Sequence, residues 1–243
     1  MPPISIAIVD SGVNPWHSHV GHVEDGASFL PRNPGDGTVA PGTDFMDEIG
    51  HGTAIAGIIR EKAPDARFHA AKIFAGSLRA SMASLLAALE WAVEQNAKII
   101  HLSLGTRNER FKEVLEPLCR RAFERGTILV AAATAADALV WPAVLDTAIG
   151  VYWSALCDEQ TLIHHPDNPV EFGAHGLARP IPGRPQELNF RGSSFAAARV
   201  TARIAELLGS DSNMNCQQAR SVLANVARIE RLGGPFGGEK PPL

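Results

Sequence analysis

Several stretches of the chain are short and apolar along nearly their whole length: "ISIAIV" at 4–9, "RFHAAKIF" at 67–74, "AKIIHLSL" at 97–104, "TILVAAA" at 127–133 and "DTAIGVYW" at 146–153. Apolar residues that run on without alternating belong to strands covered on both faces, which points to a parallel sheet. Between these runs lie patterns with helical spacing, at 51–63, 81–96, 110–126 and 193–209. The third and fourth end at Gly126 and Gly209, where a left-handed cap is expected. Strand and helix alternate, so the pattern predicts an α/β fold: a three-layer sandwich with a mostly parallel central sheet and right-handed crossovers. A last helical pattern, 215–233, leads into the Gly/Pro-rich tail "GGPFGGEKPPL", expected to be frayed from about residue 233. The Pro- and Gly-rich stretches 31–43 and 164–185 are expected to be surface loops. With no internal repeat and no linker, the 243 residues are expected to form a single domain, 1–243.

Composition removes several classes of function. The 22 basic and 26 acidic residues leave a net charge of -4, which attracts neither nucleic acid nor an anionic membrane surface. Cys119, Cys157 and Cys216 are odd in number and form no CxxC pair, so neither a zinc site nor a disulfide framework is expected, and a reducing compartment fits best. The N-terminal "MPPISIAIVD" lacks the basic stretch, apolar run and cleavage site of a signal peptide. The most apolar region, 127–151, is broken by Asp137, Pro142 and Asp146, short of the about 20 uninterrupted residues a span needs. The expectation is a soluble, cytoplasmic protein with no cofactor.

Ligands of open α/β sheets gather at the carboxyl ends of the strands. Three reactive side chains fall at such ends or at helix starts: Asp10 closes the first strand in "IAIVDSG", His51 opens a helix in "GHGTAIAG", and Ser194 opens another in "GSSFAAA". Each alone has an ordinary explanation, as an Asp-Ser-Gly turn, a first-turn histidine and a helix cap. Together they are the parts of acyl transfer. A serine hydroxyl needs a histidine to take its proton, and the histidine needs a carboxylate to fix its tautomer and stabilise its charge.

The chain order Asp, His, Ser is that of subtilisin. The stretches "VDSG", "GHGTAIAG" and "GSSFAAA" resemble the signatures of the subtilisin-like serine peptidases, the subtilases, in residue type, order and spacing. The resemblance runs from Ile4 to about Leu208 and implies a peptidase acting on a peptide or protein, with Asp10, His51 and Ser194 as its triad. It further implies that Ser103, Leu104 and Gly105, in "IIHLSLG", line a groove where an extended substrate pairs by strand addition. Asp47 matches an acidic position of the family, read either as a partner for a basic substrate group or as a solvated loop acid.

The departures from the family are specific. Where it has Gly-Asn after its "AAA" strand, with the asparagine donating to the oxyanion, this chain has Thr134 and Ala135. In subtilisin that donor is worth about 2.7–4 kcal/mol, roughly a hundred- to thousandfold in turnover, so a slow enzyme is expected. The Ser194 amide remains as a donor, with Thr134 or a protonated Asp137 as candidates for a second. Phe195 stands in place of a methionine and Ala198 in place of a proline. The family's calcium loop would follow the His51 helix, yet "IIREKAPDARF" runs almost directly into the next strand, so no calcium is expected there. The cluster "HSHVGH", with His17, His19 and His22, has no matching carboxylate and is not read as a metal site. Two other readings stay open: a peptide-binding protein whose turnover has decayed, and a flavodoxin-like binding domain, the latter weakened because "DSG" lacks a GxGxxG continuation.

Overall fold

In the first strand, β1 (Ser5–Asp10), every residue from Ile6 to Asp10 is buried, because β1 lies inside the sheet with helices on both faces. The computed structural model describes residues 3–31 and 38–229. Among them the other strands are β2 (Asp25–Ser28), β3 (Arg67–Lys72), β4 (Ile99–Leu102), β5 (Ile128–Ala132), β6 (Ala148–Trp153), β7 (Leu162–His164), β8 (Phe172–Ala174) and β9 (Arg228–Ile229). They form one sheet in the order β2-β3-β1-β4-β5-β6-β8-β7-β9. Every neighbouring pair is parallel except β7 and β8.

The helices are α1 (His51–Lys62), α2 (Met82–Glu94), α3 (Lys112–Glu124), α4 (Ser193–Ser210) and α5 (Cys216–Val226). Alternation along β1 sorts the layers: Ile6 and Ile8 pack with α1, α4 and α5, and Ala7 and Val9 pack with α2 and α3. The architecture is therefore the expected three-layer α/β sandwich. The five apolar runs coincide with β1, β3, β4, β5 and β6, and the first four helical patterns with α1 to α4.

Three expectations need correction. Gly126 is left-handed at φ 78, but Gly209 lies inside α4, which continues to Ser210 and is capped at Asp211. The last helix stops at Val226 and is followed by β9, because Ala227 turns to an extended backbone. The stretch 164–185 is not all loop: Phe172–Ala174 forms β8, fully buried between β6 and β7. Residues 32–37 of the other expected loop and the tail from residue 230 lie outside the described residues. All three cysteines are buried, and no described helix is long and apolar enough to cross a membrane.

Candidate active site

Parallel pairing of β3, β1 and β4 brings their carboxyl ends to one edge of the sheet, with Asp10 last in β1 and Ser103 directly after β4. At that edge α1 approaches β1 very closely. A Cβ on Gly52 would fall 2.2 Å from the Gly12 carbonyl oxygen and 3.1 Å from Asp10 Cβ, so only glycine lets the helix seat there. This seating puts His51, the first residue of α1, over Asp10.

His51 Nδ1 lies 2.8 Å from Asp10 Oδ1 and 3.0 Å from Oδ2. A carboxylate only accepts, so the proton sits on Nδ1 and Nε2 is left as the basic nitrogen. The Ser11 amide and hydroxyl also donate to Asp10 Oδ1, at 2.7 and 3.1 Å, while the Gly52 amide donates to the Ser11 hydroxyl oxygen at 3.0 Å. Burial raises the Asp10 pKa, but the His51 charge, its hydrogen bond, the Ser103 hydroxyl and the Ser11 amide outweigh it, and Asp10 titrates below its usual value. Burial likewise pushes His51 down, yet Asp10 and then Asp47 raise it above the usual value. The His51 ring is boxed by Phe195 at 5.0 Å and Phe190 at 5.7 Å, both edge-on, which fixes its plane and covers it from water.

Asp47 is neither a solvated acid nor free for a substrate group. Its Oδ1 accepts from the Ile49 and Gly50 amides, at 3.0 and 2.7 Å. Its Oδ2 accepts from the Thr53 amide and hydroxyl, at 2.8 and 2.6 Å. The capping residue Gly50 has no side chain, so Asp47 satisfies the Thr53 amide of the first turn in its place.

Ser194 is the second residue of α4 and is half-buried at its head, where its amide has no carbonyl one helical turn earlier to bond. Gly192 before it has φ 140, and no heavy atom lies within 4 Å of a Cβ built there, so the approach to the serine is open. The Ser194 hydroxyl donates to the Ser103 carbonyl oxygen at 3.3 Å. Ser194 opens onto a cleft of about 400 Å³ that Ser103, Leu104 and Gly105 also line. The structure thus joins Asp10 to His51 directly, and sets Ser194 beside them through Phe195, on the same edge as the 103–105 segment.

Two features of the site were missed in the sequence. His101, fully buried in β4, has Nδ1 3.0 Å from Thr201 Oγ1 on α4 and Nε2 3.0 Å from Ser103 Oγ. Because the Ser103 hydroxyl turns its hydrogen towards the Asp10 carboxylate, its oxygen accepts from His101 Nε2–H, and Nδ1 accepts from Thr201. His101 is neutral, since burial pushes its pKa down to about 4. The second feature is the bond from Arg107 Nη2 to Thr134 Oγ1 at 2.7 Å, with both residues lining the cleft beside Ser194. A polar residue inside an otherwise apolar strand was the available signal for His101. Arg107 carried none, since the contact spans 27 residues of chain.

Of the clustered histidines, His17 and His19 meet edge-on at 5.0 Å and His22 faces Glu24 at 3.6 Å. Among the described residues no three His, Cys, Asp or Glu side chains are placed to hold a metal ion. The chain passes from the end of α1 at Lys62 to β3 at Arg67 with no room for an inserted loop.

Residues 3–237 match the family described as the Subtilase family. Over 138 residues the chain is 30% identical to the Minor extracellular protease Epr of Bacillus subtilis (strain 168), covering 53% of this chain and 19% of that protein. Over 212 residues it is 27% identical to an Alkaline protease of Alkalihalobacillus alcalophilus, covering 82% of this chain and 50% of the other. The chain therefore spans half the length or less of these two curated relatives. The crystal structure of a cold adapted subtilisin-like serine proteinase superposes with a TM-score of 0.69 over 92% of this chain and 82% of that one, at 19% identity, a likeness of fold. With a family match across nearly its whole length, the chain belongs to the subtilase family of serine-type peptidases.

Proposed function

We propose that this chain hydrolyses peptide bonds through an acyl-enzyme formed on Ser194, with His51 as the base and Asp10 as its partner. The observation that carries this reading is the paired hydrogen bond from His51 Nδ1 to both Asp10 oxygens, at the edge where Ser194 heads α4. The Ser194 hydroxyl turns from the Ser103 carbonyl to His51 Nε2 when substrate enters, and its oxygen attacks the scissile carbonyl. The His51 proton then passes to the leaving amine. The acyl side lies extended along Ser103–Gly105, where backbone hydrogen bonds supply affinity. The leaving side departs past His51, where Gly50, Thr53 and Phe190 border a second cavity of about 320 Å³.

The substrate is a peptide or protein segment in extended form. With Ala135 where the family has its asparagine donor, remote binding energy must offset weaker electrostatics, which suits a dedicated peptide or precursor. Rapid cleavage of unrelated denatured proteins would contradict that selectivity. The resting bond from Ser194 to the Ser103 carbonyl is the feature a peptide-binding protein without turnover would share. Burst kinetics with an activated ester separate the two: one equivalent of leaving group, lost in Ser194→Ala and in His51→Ala, supports the peptidase, and no burst from folded protein supports the binder.

A further inference from the structure

Attack on a carbonyl leaves a negative oxygen, and preorganised donors for it are usually the largest single source of acceleration. The Ser194 amide, at the head of α4, supplies one donor from the backbone. The polar side chains lining the cleft are Ser103, Arg107, Thr134, Ser193 and Ser194. Three are committed: Ser103 to His101 and Asp10, Ser194 to the attack itself, and Ser193, whose Oγ accepts from the Trp153 amide at 3.1 Å, to holding α4 on β6. Arg107 and Thr134 remain, and they are bonded to one another.

The direction of that bond matters. A guanidinium has no acceptor, so Arg107 donates, and Thr134 Oγ1 spends a lone pair while keeping its own hydrogen free. A charge-assisted bond polarises the hydroxyl and strengthens it as a donor. Thr134 stands two residues beyond the end of β5 and is exposed on the cleft wall, and Arg107 reaches it from the segment that follows Ser103–Gly105.

We propose that Thr134 is the catalytic side-chain donor to the oxyanion, and that Arg107 is a positioning residue that aims and polarises its hydroxyl. In the step concerned, the Ser194 Oγ to carbon bond forms, the Ser194 proton moves to His51 Nε2, and the carbonyl π pair moves onto oxygen. Thr134 O–H and the Ser194 N–H hold that oxygen. On collapse the carbon–oxygen double bond returns, the carbon–nitrogen bond breaks, and His51 returns the proton to the leaving amine. No group beyond substrate and this chain takes part. The inference rests on the acyl-transfer reading of Ser194 and assigns its missing donor.

The test is pre-steady-state acylation by an activated ester and by an extended peptide ester, with thermal melts of every variant as a check on folding. Thr134→Val keeps the shape and removes the hydroxyl. It is expected to slow acylation roughly a hundredfold while KM stays within about twofold, because the donor acts only on the transition state. Thr134→Ser is expected to restore most of the rate. Arg107→Ala is expected to slow acylation about tenfold and to add nothing in the Thr134→Val background, with Arg107→Lys giving partial rescue. Acylation of Thr134→Val at the wild-type rate overturns the proposal, as does multiplication of the two losses in the double variant or a loss confined to KM. A wild type that shows no Ser194-dependent acylation removes the peptidase reading itself and this proposal with it, a result distinct from a reactive wild type with an unaffected Thr134→Val.

Discussion

Among the described residues, two sets of serine, histidine and aspartate come together, and only one of them has the surroundings of an active site. At the amino-terminal edge of the sheet, Ser5 Oγ lies 2.9 Å from His69 Nε2, and His69 Nδ1 is hydrogen-bonded to Asp25 Oδ1. The nitrogens are used in the same order as at His51, and the serine is already on its base, which Ser194 in the resting structure is not. Yet Ser5 is the first residue of β1, its carbonyl accepting the Lys98 amide, and so it stands at the start of a strand and not at the head of a helix. Ser194 has its own amide at the head of α4, an open approach at Gly192 and a cleft that Ser103–Gly105 also line. A serine, a histidine and a carboxylate in line make a structural tie across β1, β3 and β2 in one place. They make candidate acyl-transfer chemistry in the other, because of what stands around the carbonyl that would be attacked.

Breaking each serine and histidine in turn gives the largest contrast. Ser194→Ala or His51→Ala is expected to lower ester acylation by about a millionfold, whereas Ser5→Ala and His69→Phe should leave it within about twofold and cost about 1 kcal/mol of stability in denaturant melts. Next comes the carboxylate. Asp10→Asn is expected to slow acylation about ten-thousandfold at neutral pH, since the histidine then loses its tautomer control. The wild-type rate should rise with pH through a midpoint above the ordinary histidine value, because His51 must be neutral to act and Asp10 and Asp47 hold it charged to higher pH. The linked stability follows the same pair. The share from the raised His51 is complete below about pH 6.5 and fades as pH rises through its folded value; the share from the lowered Asp10 is present above about pH 4 and is lost as pH falls through its folded value.

His101→Phe sharpens the comparison by disturbing Asp10 without touching it. With no N–H for Ser103, the expected loss is about tenfold in kcat with little change in KM, and His101→Gln, which keeps a donor, should recover part of it. The smallest effect is expected for Asp47→Ala. Losing the carboxylate that binds the Gly50 and Thr53 amides should cost about 1 kcal/mol in a thermal melt and bring the His51 titration seen by NMR closer to the ordinary value.

Much of this was legible in the chain because the signals are local. The continuous apolar runs of β1, β3, β4, β5 and β6 read as strands covered on both faces, and Asp10, His51 and Ser194 sit where strands end or helices begin. The three-residue strands β7 and β8 left no periodicity to read, and Phe172–Ala174 is a strand only because β6 and β7 flank it. Gly209 looked like a stop, yet Leu208 is fully buried and the helix runs on past it to Ser210. Asp47 could not be recognised as a cap, since it stands three residues ahead of the glycine that occupies the capping position. The roles of His101 and Arg107 depend on Thr201 and Thr134, distant in sequence and brought near by the order of β4, β5 and α4.

The most direct test of the central claim is site-mapped labelling of the folded protein with a fluorophosphonate. The account predicts one equivalent of adduct on the peptide carrying Ser194, absent after His51→Ala and unchanged after His69→Phe. Adduct on Ser5, or none at all, would contradict it.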